Sequence, residues 1–247
     1  MAKDIIELLE HLSWTAERQL NLVGVSMGGM IAQEISCLIP TRINSLSLFS
    51  TAPYIVNTTG FLENFRQRLQ MFVPKSLDRS LVDASGMMFP AHWLDSPDNA
   101  RPPTAASPDV ELPAPDADGV REYKKFATNY ERWAAQELTK KTDPSQFGKK
   151  GFMLQAVAAG WHHKSPEQLQ KMGDEVGRER IVVVHGDMDR MITVWHGQKL
   201  MELLKPEEAI VKERVGHVFF MEETEWHDAL IERRFERGYE LNRKAGF

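Results

Sequence analysis

The sequence is poor in several things, and each scarcity removes a class of protein. It holds one cysteine, Cys37, in 247 residues, so no intrachain disulfide can form. A disulfide-stapled secreted scaffold is excluded, and a reducing, cytoplasmic setting is the expectation. Long apolar runs are missing too. Nothing approaches the ~18 consecutive apolar residues that a membrane span requires. Asp4, Glu7 and Glu10 break up the first apolar stretch, which does not read as a secretory signal. Basic charge is not in excess. The 30 Lys+Arg against 35 Asp+Glu leave a net charge of −5, the wrong sign for a nucleic-acid binder. Internal repeats are also lacking. What remains is an ordinary globular composition, 42% hydrophobic and 26% charged. The length suits one large domain or two small ones and is enough to bury a core.

The patterns alternate at both ends of the chain. Ile5, Leu8, Leu9 and Leu12 recur at helical spacing. Leu20 to Val25 is an apolar run of strand length that stops at Ser26-Met27-Gly28-Gly29. A helical pattern follows through Met30, Ile31, Glu34, Ile35 and Leu38, closed by Pro40, and Ile43 to Phe49 reads as a second strand. Strand, helix and strand over so short a stretch predict a βαβ unit and hence a parallel sheet. Near the other end, Ser165-Pro166-Glu167 predicts a helix start. Ile181 to Val184 reads as a strand buried on both faces, and Ala209 to Val215 as a last strand. Helices are expected over Val194 to Leu204 and Trp226 to Phe235.

The middle reads as helical. Leu62, Phe65, Leu69 and Phe72 form one apolar stripe, and Tyr123, Phe126, Tyr130 and Trp133 another. Between them, Asp95 to Ala117 carries six of the 13 prolines and almost no large apolar residue, which predicts an exposed loop.

One constellation carries chemistry. Gly24-Val25-Ser26-Met27-Gly28 fits G-x-S-x-G between a strand and a helix. Such a serine sits on a tight turn with its hydroxyl raised above the carboxyl end of the sheet. The flanking glycines give the neighbouring backbone room, and the next helix points its positive end at the serine. The Met27 N–H is then placed to donate to an oxyanion. Asp189 follows the Ile181 strand and His217 the Ala209 strand, so all three converge on one edge of the sheet. In the order Ser, Asp, His, they read as nucleophile, base-orienting acid and general base. Asp187 competes with Asp189 for the acid role.

On these residues the sequence resembles the α/β-hydrolase superfamily, in its lidded esterase-like branch. The resemblance rests on Gly24-Val25-Ser26-Met27-Gly28-Gly29, on His185-Gly186-x-x-Asp189, and on Gly216-His217 followed by Phe219 and Glu222. It covers Met1 to about Tyr54 and about Ile181 to Phe235. It implies a hydrolase core over residues 1–55 and 178–247, with a helical cap over 56–177 whose Pro/Asp-rich loop spans about 95–118. The implied activity is cleavage of an ester, lactone or similar acyl bond of a small apolar substrate through an acyl-enzyme, with no metal or organic cofactor. Acyl transfer, carbon–carbon bond hydrolysis and perhydrolysis use the same triad. The chain departs from the family before Ser26, where only one helix and the nucleophile strand precede the elbow. The family's first strands and its second oxyanion-hole loop have no counterpart there, and Met1 matches an internal position of a longer ancestor. The sheet is therefore expected to be partial, with the nucleophile strand at an edge open to self-association. The alternative is a truncated or degenerate relative that binds a ligand or partner without turnover.

Other residues have plainer readings beside the functional ones. Met87, Met88, Phe89, Trp93 and Trp161 serve equally as walls of an acyl pocket or as cap core, and Phe219 joins the pocket candidates. His185 is expected to shape its turn. His162 and His163, with Glu167 nearby, are a weak metal pattern, since Glu167 suits the helix start. Cys37 reads as a small buried apolar residue. Arg233, Arg234, Arg237, Arg243 and Lys244 alternate with glutamates and read as a solvated helix face.

Overall fold

The computed structural model describes residues 1–56, 76–104, 106–107, 110–115, 117–123, 125–143 and 148–247, without the side chains of Lys149 and Phe152. The stripe of Leu62, Phe65, Leu69 and Phe72 lies outside these residues. The chain opens on α1 (Ala2–His11), then β1 (Leu20–Val25), α2 (Met27–Leu38) and β2 (Ile43–Phe49). Of the apolar stripe on α1 only Leu9 is buried; Ile5, Leu8 and Leu12 are exposed. A helical segment follows: α3 (Leu77–Met88), α4 (Ala91–Leu94), α5 (Asn129–Thr142) and α6 (Lys149–Trp161). The chain then returns through α7 (Pro166–Val176), β3 (Ile181–Gly186), α8 (Val194–Leu204) and β4 (Glu208–Lys212). It closes on α9 (Phe219–Glu222) and α10 (Thr224–Ala245).

The four strands form one parallel sheet in the order β1-β2-β3-β4, with β1 at an edge. β2 and β3 are buried along their whole length, as a central parallel strand covered on both faces must be. β4, at the other edge, alternates half-buried and exposed positions. Leu46, Leu48, Ile181 and Val183 bury one sheet face against Ala32 of α2, Leu169 and Met172 of α7, and Leu200 and Leu204 of α8. Phe49, Val182 and Val184 bury the other against Phe219 and Leu230. β4 ends at Lys212, short of the expected Val215, because the chain turns there: Arg214 has φ 63°, and its N–H donates to Asp187 Oδ1 at 2.7 Å.

The last helix runs well past the expected Phe235, to Ala245. Its basic residues are not all solvated. Arg234 is buried, with its guanidinium on Glu207 Oε2 (2.8 Å), Glu208 Oε1 (2.6 Å) and the Glu179 carbonyl (2.8 Å). Arg233 and Arg237 pair with Glu208 and Glu207 beside it. These contacts clasp the helix to the β4 edge.

The helical segment has a core of its own, in which Leu81, Phe89, Trp93, Leu94, Trp133 and Ala134 pack together. Tyr123 and Phe126 precede α5 rather than extending its stripe, because Thr128 caps the helix by accepting the Glu131 N–H. The polar loop before it is anchored by Asp98. That buried carboxylate accepts from Arg132 Nε at 2.7 Å and from the N–H groups of Ala100 and Phe126. The segment leaves and re-enters through paired strands of chain: Tyr54 bridges His163, and the Lys164 N–H donates to the Pro53 carbonyl. On re-entry, Ser165 and Gln168 form a full capping box at the start of α7.

Candidate active site

Sheet register brings the site together. Val25 lies opposite Phe49, and Phe49 opposite Val184, so three strands end in one row. The ladder continues one step beyond them. The Ser26 N–H donates to the Phe49 carbonyl at 2.9 Å, and the Ser50 N–H to the Val184 carbonyl at 3.0 Å.

Ser26 stands at φ 55°, ψ −121°, a backbone conformation that a non-glycine residue rarely adopts. It is held there from several sides. Its carbonyl accepts from the N–H groups of Gly29 and Met30 and from Thr51 Oγ1 at 2.7 Å. A Cβ on Gly24 would lie 2.6 Å from the Gly28 carbonyl oxygen, so the elbow closes only with glycine there. The second tight position is Gly29, against Thr51, rather than the expected Gly28, whose Cβ would meet nothing within 4 Å. α2 begins at Met27, so its unpaired N–H groups and positive end face the serine.

Asp189 follows β3 and is buried. Its Oδ1 accepts the N–H groups of Met191 and Ile192, each at 2.9 Å. Its Oδ2 meets His217 Nδ1 at 2.7 Å and His185 Nε2 at 3.1 Å. Burial alone would raise this carboxyl, but the hydrogen bonds from His185 and His217 outweigh it and hold the group below its usual range. Asp187 is exposed and serves the Arg214 turn, so it is Asp189 that meets the histidine. With its proton on Nδ1, the His217 ring leaves Nε2 as an acceptor. Ser26 and His217 stand on the same edge of the sheet and share no hydrogen bond.

His217 is aimed by its main chain. Its N–H donates to the Met88 carbonyl at 2.7 Å, and the Gly216 N–H donates to both carboxyl oxygens of Glu222, at 3.0 and 3.2 Å. Burial pushes the Glu222 carboxyl up to about 8 against the pull of the Gly216 N–H. His185 is fully buried and also reaches the Ile192 carbonyl, at 2.6 Å, so it shapes the turn that carries Asp189. His185 reads in the sequence as a residue that shapes its turn, whereas Glu222 appears there only as a flanking member of the Gly216-His217 motif.

The candidate pocket residues scatter. Trp93 is buried in the core of the helical segment, stacked on Phe89 at 4.6 Å. Met88 packs against the same cluster, and Met87 is exposed. Phe219 is fully buried on the far side of the sheet, edge-on to Phe49 at 5.2 Å, which makes it a core side chain. Trp161, 86% exposed, joins Met27, Met30, Ile31 and Ala158 along a cleft of about 260 Å³ beside the elbow helix. At the end of that cleft His162 is buried, which pushes its imidazole down to about 4. Glu34 pairs with Lys164 at 2.6 Å. Glu167 accepts from Ser165 Oγ at the start of α7. No group of three or more His, Cys, Asp or Glu side chains gathers as metal ligands among the described residues. Burial raises the half-buried Cys37 thiol.

Several solved structures share the architecture. Rv0554 from Mycobacterium tuberculosis is 18% identical at a TM-score of 0.62, over 96% of this chain and 71% of that one. The 2-hydroxy-6-oxo-6-phenylhexa-2,4-dienoate hydrolase BphD from Rhodococcus sp. strain RHA1 is 17% identical at a TM-score of 0.63, over 95% and 69%. The serine hydrolase CCSP0084 from Cycloclasticus zankles is 16% identical at a TM-score of 0.59, over 95% and 69%. No curated protein matches the chain. The family model of the alpha/beta hydrolase fold matches residues 1–224, and the chain belongs to that family.

Proposed function

We propose that the protein is a serine hydrolase that cleaves an ester, lactone or similar acyl bond of a small apolar substrate. One observation carries this reading: His217 Nδ1 sits 2.7 Å from the buried Asp189 carboxylate, on the sheet edge where Ser26 occupies a strained elbow. Ser26 Oγ attacks the acyl carbon and gives its proton to His217 Nε2. Asp189 stabilises the imidazolium so formed. The Met27 N–H and the positive end of α2 stabilise the oxyanion. His217 returns the proton to the departing alcohol, leaving an acyl-Ser26. Water, deprotonated by the same histidine, releases the acid and restores the serine. No step calls for a metal or organic cofactor. In this reading residues 1–55 and 178–247 form the hydrolase core and 56–177 the cap. The β1 edge, where Val23 is 41% exposed, is the surface for self-association.

A fluorophosphonate probe and a p-nitrophenyl ester test the proposal. The probe is expected to label Ser26, and Ser26→Ala to lose both labelling and turnover. Asp189→Asn is expected to lower turnover by about 10⁴-fold. A folded protein whose Ser26 refuses the probe overturns the reading. That outcome would favour a second one, a non-catalytic binder of the same fold, for which the place of β1 at the edge of a four-stranded sheet speaks.

A further inference from the structure

The turn carrying His217 is short, and the histidine's aim depends on what fixes the two peptide groups before its ring. One is the His217 N–H, bound to the Met88 carbonyl at 2.7 Å. The other is the Gly216 N–H, directed into the carboxyl group of Glu222 at 3.0 and 3.2 Å. Gly216 has no room for a side chain, since a Cβ there would lie 2.4 Å from the Met88 carbonyl oxygen and 3.1 Å from both Glu222 Oε1 and the Phe89 Cα. The turn is thus gripped between a side chain of the core and a peptide of the helical segment.

We infer that Glu222 is a positioning residue for His217: by taking the Gly216 N–H, its carboxyl group fixes the turn from which the imidazole is aimed. The inference rests on His217 being the base of the proposed hydrolase. Two properties of Glu222 support it. Its side chain reaches back six residues, from the last position of α9, to a backbone donor that the turn leaves without a strand partner. Its carboxyl is also pushed up to about 8, so near neutral pH it is mainly uncharged and does not compete with Asp189 for the imidazolium. The charged groups acting on it are Glu223, which is adjacent and pairs with Lys212 at 3.8 Å, and Asp189 across the turn.

Two variants test the role. Glu222→Gln keeps an acceptor for the Gly216 N–H and has no charge to lose. Glu222→Ala removes the acceptor. At pH 7 the fluorophosphonate labelling rate of Glu222→Gln is expected to stay within about twofold of wild type, and that of Glu222→Ala to fall by about tenfold or more. The ring ¹⁵N resonances of His217 give a readout that plain packing would not move. In wild type they are expected to show an inflection near pH 8 that is absent in Glu222→Gln. If Glu222→Ala labels at the wild-type rate, the inference is wrong. If Glu222→Ala does not fold, Glu222→Gln decides: a labelling rate tenfold or more below wild type, with the acceptor for the Gly216 N–H kept, overturns the inference. Loss of all labelling in wild type would instead defeat the hydrolase reading, which separates the two failures.

Discussion

Met88 and His217 are joined through their main chains, the His217 N–H donating to the Met88 carbonyl at 2.7 Å. The contact links the end of α3 to the loop after β4, and it leaves no space at the residue between. Gly216→Ala therefore forces either α3 or the histidine loop to move. It is expected to destabilise the protein by about 1–3 kcal/mol, as overpacking does, and to slow labelling of Ser26. Urea unfolding and probe kinetics on one preparation check both effects. Unchanged values in both would show that the junction yields freely.

Ser26 holds a backbone conformation suited to glycine, at φ 55°. Ser26→Gly is expected to raise stability by about 1 kcal/mol while abolishing turnover, because strain is relieved as the nucleophile is lost. Ser26→Ala, which keeps the Cβ, should abolish turnover without that gain. Melting curves of the two variants side by side decide the matter.

Arg234 and Arg233 both pair with Glu208, yet they differ in burial, at 1% and 59% side-chain exposure. Arg234→Ala takes the buried guanidinium from Glu207, Glu208 and the Glu179 carbonyl; the glutamates keep Arg237 and Arg233, and the loss is expected to be about 2 kcal/mol. Arg233→Ala should cost less than about 1 kcal/mol. Equal losses in denaturant titrations would contradict this account of the β4 edge.

Two buried groups tilt stability with pH in opposite directions. His162 is pushed down to about 4 by burial, so the unfolded chain binds the proton first. Its contribution is fully present above about 6.5 and is lost as pH falls toward 4. Glu222 is pushed up to about 8, so there the folded chain binds the proton more tightly. Its contribution is present below the ordinary glutamate range and is lost as pH rises through 8. His162→Gln should flatten the acid slope and Glu222→Gln the alkaline one. Melting temperatures from pH 4 to 9 measure both, and an unchanged slope in either variant refutes that half of the prediction.

The strands and the elbow turn were legible because they rest on local chemistry. A continuous run such as Ile181–Val184 has few alternatives to a doubly covered strand, and Gly24 and Ser26 mark a turn that needs no distant information. The contacts that hold the histidine were not legible. Glu222 reaches Gly216 only because α9 folds back, and the Met88 carbonyl arrives from another part of the chain. Arg234 failed as a surface residue for the same reason: mixed charge along a helix says nothing of what lies opposite, and here it is the glutamate pair at β4. Phe219 shows the same limit: its place against Phe49 in the core is set by the sheet face it covers, which the residues around His217 do not reveal.

The two fully buried strands, β2 and β3, are neighbours in the sheet but stand far apart in the chain, from Phe49 to Ile181. Their pairing must close a loop containing the whole helical segment, and the entropy of that closure falls due before the strands reward it. The core is therefore slow to nucleate across its middle. The β1–β2 and β3–β4 pairs are local and can form early, while the seam between them sets the pace of folding.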